Sequence, residues 1–447
     1  MKSILSLKSH LYLKRVGILL IITALIAAMV GCANRPARGA IEIWDWYDLD
    51  AVRDNLSGSY VLMNDLDSTS PGYAELAGPT ANGGKGWLPI GAGEFPAFQG
   101  LLDGQGYEIR DLFIDRPDED KIGLFKQVHW PAVVRKLGIV DATVTGSDMV
   151  GILGGGNWNI VVNSHFSGNV TGYAFVGGVV GISGGVATLT ECHSTVTVTG
   201  YDYVGGLVGD NRNTVSNCYS AGSVTGNEVV GGLVGRGGGT VSNSYSTASV
   251  TGDRWVGGLV GYNWAEHRIA TVSNSHATGN VIGNYGVGGL VGENLGNLSN
   301  SYASGNVTGN SWVGGLAGQN SHTVSNSYAI GSVTGDEQVG GLLGRNDEGL
   351  VSNSYSAGRI TGNWLIGGLV GVDTGTVTNS FWDIETSGLA FSDGGTGKTT
   401  AEMKDIVTFL DAGWSVIAVA NPDQRDSAYT WNMVDLVTYP FLSWQSA

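Results

Sequence analysis

Between residues 121 and 380 the apolar residues fall in short runs such as "TVSNSYS", "ASVTG" and "WVGGLVG", each closed by Gly, Asn or Asp. No run reaches the ~10 residues of a helix, and no 3.6-residue stripe appears. Val, Thr, Tyr and Ser dominate the runs, which predicts short β-strands separated by tight corners. The runs also recur. The hexapeptide "VGGLVG" stands at 204, 230, 256 and 287, with "VGGVVG" at 176, "VGGLAG" at 313, "VGGLLG" at 339 and "IGGLVG" at 366. Degenerate copies, "MVGILG" at 149 and "KIGLFK" at 121, extend the series upstream. Spacings are mostly 26 residues, with 27, 28 and one of 31 where "NWAEHRIA" is inserted.

A unit of short strands cannot bury its apolar side alone, so copies must stack, each against its neighbours only. The pattern predicts an all-β fold: a right-handed parallel β-solenoid of about ten coils, about 50 Å long at ~4.8 Å per coil, with small mixed α/β caps at both ends. Aligning the units on "SNSY" produces columns that should stack as ladders. One is asparagine: Asn217, Asn243, Asn274, Asn300, Asn326 and Asn353, whose amides are expected to satisfy one another along the rod. Another is aromatic: Tyr219, Tyr245, Tyr302, Tyr328 and Tyr355, with His165, His193 and His276 in the same column, where a structural role outweighs a metal site. Cys192 and Cys218 fall in the serine column of adjacent coils, 26 residues apart. They read as a coil-to-coil disulfide or as two small buried thiols replacing serine.

The hexapeptides and the phrase "SNSYSxGxVTG" resemble the GLUG-motif repeat family, over roughly residues 121 to 380. "GSYVLMNDLD" at 58 to 67 and "FWDIETSG" at 381 to 388 resemble regions that border such repeats. The resemblance implies an exported, cell-surface, adhesin-like protein and supplies no catalytic residue. The repeat also occurs beside the catalytic domain of some immunoglobulin-cleaving zinc peptidases. That chemistry needs His-Glu-x-x-His, and none of the seven histidines here precedes a glutamate.

The ends break the period. Residues 33–120 read as an N-terminal cap and first coils, with a short helix over "DLDAVRDNL" (Leu49, Val52 and Leu56 on one face) and strands around the turn "DGQG". Residues 381–447 read as a C-terminal cap with one short helix. This cap contains "SDGGTGKTT", whose Gly-Lys-Thr invites a nucleotide-binding reading. A P-loop needs glycine where Ser392 stands, and a buried apolar strand before it. Thr399 and Glu402 instead have capping-box spacing, Met403, Ile406, Val407 and Leu410 form a helical stripe, and Gly413 stands where that helix would end.

Composition adds compartment and charge. Lys2, Lys8, Lys14 and Arg15 precede an apolar stretch from Ile18 to Val30, and Gly31-Cys32 completes a lipobox-like site. Residues 1–32 thus read as a lipoprotein-type signal peptide, with Cys32 lipidated and anchoring the chain to a membrane. Without the first 38 residues, 17 basic stand against 39 acidic side chains, a formal −22. Such a surface repels nucleic acid. Neither nucleic acid nor nucleotide is an expected partner, and no cofactor is required. Asn227, Asp253, Asn284, Asn310, Asp336 and Asn363 recur after the "TG" turn and leave ordered calcium open, although turn chemistry accounts for them equally.

The function expected is a non-enzymatic, lipid-anchored surface solenoid that adheres to or binds glycan or protein. Phe175, Tyr203, Trp255 and Trp312, just before the hexapeptide, would form its binding stripe if exposed, and a coil corner if buried. The alternative is a carbohydrate-active β-helix lyase or hydrolase, which needs clustered carboxylates. Here the acids are scattered, as Glu191, Asp202, Asp210, Glu228, Asp253 and Glu266, and the pairs Asp336/Glu337 and Asp347/Glu348 sit at turns.

Overall fold

The computed structural model describes residues 39–92, 95–264 and 269–445. The expected signal peptide, residues 1–32 with Cys32, lies outside these residues. The unit from 240 to 263 shows one complete coil. Thr240–Ser242 belongs to a first sheet, Tyr245–Ser246 and Ser249–Thr251 to a second, Arg254–Gly257 to a third and Val260–Asn263 to a fourth. Every strand pairs parallel and in register with its equivalents in the coils before and after, as in Val215↔Val241↔Val272. Stacked this way, the first sheet has 13 strands, the fourth 10 and the third 9. The chain is a parallel β-solenoid. Stacking begins at Ile41–Ile43, which pairs with Ser59–Leu62 and through it with Leu101–Asp103, so the N-terminal region is already part of the rod. The 31-residue unit keeps register too, with Asn263 facing Asn294.

The hexapeptide is glycine-rich because backbone fills the space a Cβ would need. A Cβ on Gly257 would lie 2.0 Å from the Val260 carbonyl oxygen, and one on Gly261 2.8 Å from the backbone nitrogen of Val230 in the previous coil. The third and fourth sheets therefore meet almost backbone to backbone. Leu207, Leu233, Leu259, Leu290, Leu316 and Leu342 then fill the rod as a fully buried column, each worth about 1.5–3 kcal/mol of burial.

The "SNSY" asparagines do not form the expected amide ladder. They sit at the corner between the first and second sheets with φ of 47° to 53°, the left-handed region that Asn tolerates best. Among the described residues only Asn274 and Asn243 bond through their amides in that column, at 3.2 Å. The continuous ladder is the buried asparagine that closes four successive fourth-sheet strands: Asn263 donates to Asn294 (2.7 Å), Asn294 to Asn320 (2.8 Å), Asn320 to Asn346 (2.8 Å) and Asn346 to Asp373 (2.7 Å). The serine column has its own use. Ser275, Ser301 and Ser327 are buried, and each hydroxyl donates to the carbonyl two residues back and accepts the backbone N–H from the coil before. Cys192 and Cys218 are free and buried, and they follow the same pattern, with the Cys192 N–H pointing to Cys218 Sγ at 3.4 Å. A disulfide would break that rung; the thiols replace serine instead.

The aromatic column stacks from His165 through His193, Tyr219, Tyr245, His276, Tyr302 and Tyr328 to Tyr355, with centroids 4.7 to 5.3 Å apart. Its histidines are rungs of the stack. The C-terminal cap does more than cover the last coil, because it folds back along this column. Tyr302, Tyr328, Tyr355 and Phe381 share one core with Met403, Phe409, Trp414 and Trp431. Tyr355 donates to the Pro440 carbonyl at 2.7 Å and Trp444 to that of Asn300 at 3.0 Å.

The single helix expected in this cap is three short ones, Ile384–Ser387, Thr400–Met403 and Ile406–Asp411. The Thr399–Glu402 capping box is present, but Asp405 leaves the helix and caps a new one, which turns the stripe away. Met403 and Phe409 are buried, whereas Val407 and Leu410 are exposed. Ser392 closes the open edge of the fourth sheet: its hydroxyl accepts from the N–H groups of Leu369 (3.0 Å) and Val370 (2.9 Å).

Candidate ligand-binding face

Every coil carries a second left-handed residue, at the start of its third-sheet strand. The column reads Met149, Phe175, Tyr203, Val229, Trp255, Gly286, Trp312, Gln338 and Leu365, with φ between 52° and 66°. At the asparagine corner the same backbone demand is met by the residue that tolerates it. Here it is met mostly by bulky residues that do not, at about 1–2 kcal/mol each. Strain kept in this way is characteristic of functional sites. Of this column, Tyr203, Trp255 and Trp312 meet side chains of the fourth sheet.

All four residues of the expected stripe are half-buried, and they separate into two groups. Phe175 and Tyr203 stack at 4.9 Å and 5°. Trp255 and Trp312 lie 5.7 Å apart, although a full coil separates them. Gly286, in the coil between, permits this, since a Cβ there would lie 2.2 Å from Trp255 Cε3. Tyr285 joins both indoles, 5.3 Å from Trp255 and 4.2 Å from Trp312.

Beside this column runs the most variable position of the fourth-sheet strands: Asp210, Arg236, Tyr262, Glu293, Gln319 and Arg345, in register from coil to coil. The two columns interlock. Arg236 lies over Tyr203 at 4.9 Å, Tyr262 stacks near Trp255 at 6.5 Å and Arg345 lies over Trp312 at 5.4 Å. Trp264 extends the platform, 6.0 Å from Tyr262. Asp210 is fully buried and clamped by Arg236 (2.9 and 2.6 Å) and Arg212 (2.7 Å). That clamp raises the Arg236 guanidinium further above its ordinary range. Arg345 binds Asp347 at 2.7 Å. Burial, with Asp347 adding to it, pushes Glu293 up to about 7, and burial pushes Tyr262 up to about 12. The Oε1 atoms of Gln319 and Gln338 and Nε of Arg345 are buried without a hydrogen-bond partner among the described residues.

The sequence reading found the aromatic column but missed Tyr262, Tyr285, Glu293, Gln319 and the two arginines. Their signal was present: in a strand mostly written "VG-x-N", x changes chemistry more than any other position from repeat to repeat.

The Asp253 carboxylate accepts from Asn284, and that of Asp336 from Asn363 at 2.6 Å, so these acids belong to a side-chain ladder. Among the described residues no group of three or more His, Cys, Asp or Glu is placed to hold a metal ion.

The GLUG motif is present at residues 256–282, 283–308 and 335–361. Over 180 residues the chain is 35% identical to Halomucin of Haloquadratum walsbyi, covering 39% of this chain and 2% of that protein. Over 120 residues it is 39% identical to the "Putative Gly-rich membrane protein" of Evansella cellulosilytica, covering 26% of this chain and 13% of the relative. The chain thus spans a small part of either relative's length. A crystal structure described as a "putative immunoglobulin A1 protease" from Bacteroides ovatus aligns over 92% of this chain and 94% of its own, at 18% identity and a TM-score of 0.33.

Proposed function

We propose that the chain is a non-enzymatic, exported and lipid-anchored surface protein whose β-solenoid presents the Trp255–Tyr285–Trp312 platform to glycans. The carrying observation is the left-handed column: large side chains are kept at a backbone position where they cost stability, and they converge on aromatic faces flanked by hydrogen-bonding groups. Aromatic rings bordered by a few polar groups suit sugars, whose C–H faces and hydroxyls need both. A rigid rod anchored at its N-terminus would hold the platform away from the membrane. The name of the Evansella relative agrees with a membrane-associated setting.

The test is a glycan and matrix-protein array probed with the protein and with its Trp255→Ala and Trp312→Ala variants. Binding that these variants lose is expected. Binding they retain places the ligand elsewhere, and turnover of a polysaccharide would replace the reading with an enzymatic one based on Glu293 and Asp347.

A further inference from the structure

On the reading that this face binds glycan, we infer that its ligand is an uncharged, fully extended polysaccharide. The chain lies parallel to the rod, with one sugar over each rung of the ladder Arg236, Tyr262, Glu293, Gln319 and Arg345. Three independent features lead there.

The first is spacing. In-register parallel coils repeat at ~4.8 Å, so the five rungs span about 19 Å. That step is close to the advance of one sugar in a flat, extended chain, and a curled chain would lose register within two or three rungs. The ladder is uninterrupted, with direct pairing from Arg236 through Tyr262, Glu293 and Gln319 to Arg345. Tyr285 and Trp312 border it on one side, and Gly286 leaves the space into which Trp255 leans.

The second is charge. Arg236 is engaged through two nitrogens by Asp210, Arg345 by Asp347, and Arg254 lies 3.9 Å from Glu228. The acid at the centre of the ladder, Glu293, has no ion-pair partner among the described residues. A uronate or sulfated chain would meet guanidinium groups already paired with Asp210, Asp347 and Glu228, beside a half-buried carboxyl, Glu293, that offers it no positive charge. A neutral chain meets donors and acceptors only.

The third is hydrogen-bonding capacity. Gln319 is 7% exposed, yet its Oε1 has no partner, as is true of Gln338 Oε1 and Arg345 Nε. Buried polar atoms are normally paired. These atoms lie just beneath the surface, and a small outward turn of the Gln319, Gln338 and Arg345 side chains would offer two acceptors and a donor to ligand hydroxyls.

The experiment is calorimetric titration of the protein with β-1,4-linked neutral oligosaccharides from dimer to hexamer. Matched uronic-acid oligomers and curved β-1,3-linked glucans form the comparison arms. Affinity is expected to rise with each added sugar up to about the pentamer and then level off, with both comparison ligands at least ten-fold weaker. Tyr262→Ala and Trp312→Ala should each weaken binding roughly ten-fold. Gly286→Ala, which displaces Trp255 without removing a ring, should also weaken it. Trp364→Ala, 71% exposed and two coils beyond Trp312, should not. Circular dichroism of each variant separates lost binding from lost fold. A preference for acidic or curved chains, or affinity independent of length, overturns this inference while leaving the proposed function standing. If binding to every ligand survives Tyr262→Ala and Trp312→Ala in folded protein, both fail.

Discussion

Ser301→Ala tests the internal logic of the rod with one atom. The Ser301 hydroxyl donates to the Ser299 carbonyl at 2.7 Å and accepts the Ser275 N–H at 3.2 Å, and both serines are fully buried. After the substitution the Ser299 carbonyl still accepts from the Asn274 N–H, at 3.3 Å. The Ser275 N–H has no such alternative. A buried donor left unpaired costs about 1–3 kcal/mol, which corresponds to a roughly 5- to 150-fold rise in local opening. Cys192 and Cys218 show what a partial replacement looks like, since there the contact stretches to 3.4 Å with sulfur as the weaker acceptor. Ser301→Cys should therefore fall between Ser301→Ala and the parent. Because coils contact only their neighbours, the assay of choice is native-state hydrogen exchange at the Ser275 amide and adjacent coils. Exchange in Ser301→Ala within a factor of about two of the parent, below ~0.5 kcal/mol, would refute the serine ladder as a stabilising element.

Tyr355→Phe removes the hydroxyl that donates to Pro440 at 2.7 Å from a residue only 2% exposed. It should loosen the cap by about 1–3 kcal/mol, seen as faster exchange in Phe441–Leu442 and earlier proteolysis of the C-terminal region. Unchanged exchange would contradict the clasp. Stability should also depend on pH through two buried groups of opposite sense. Glu293, pushed up to about 7 by burial, takes up a proton on folding; the stability it contributes is complete below 4.5 and is lost as pH rises through 7. His276, held down to about 4 by burial, contributes fully above 6.5 and loses its contribution as pH falls through 4. Glu293→Gln should remove the fall in stability that this group adds between pH 4.5 and 7, and His276→Tyr the rise that the imidazole adds between pH 4 and 6.5. Ser392→Gly completes the Gly-x4-Gly-Lys-Thr spacing but removes the hydroxyl that closes the fourth sheet. The variant should lose stability and gain no ATP affinity by titration calorimetry; nucleotide binding would contradict the cap assignment.

The repeat period made the solenoid legible, because in-register stacking converts a 26-residue spacing directly into neighbouring rungs. What stayed hidden was backbone conformation. Asn243 and Trp255 both adopt left-handed φ, of 49° and 54°. Only the asparagine announces it, since a tryptophan carries no such preference. The expectation that the asparagine amides stack along the rod overlooks that preference, and the sequence places Trp255 in a stripe without giving it a direction. The second column of the site was hidden differently. Tyr262 and Glu293 come from separate coils, and only their register, Tyr262↔Glu293, makes them adjacent. In the C-terminal cap the capping box was readable at Thr399, but the second cap at Asp405 split the helix one turn later. The fold-back of that cap onto Tyr302, Tyr328 and Tyr355 follows from tertiary contacts with no periodic signature.

A crystal structure of the protein soaked with a neutral β-1,4-linked pentasaccharide would show whether the platform binds a glycan along the rod. Sugar rings should lie over Tyr262, Tyr285 and Trp312, with the Gln319 and Arg345 side chains turned outward to meet hydroxyls and the chain axis parallel to the coil stack. A sugar bound across the rod, or seated on an exposed aromatic elsewhere such as Trp130 or Trp364, would contradict it.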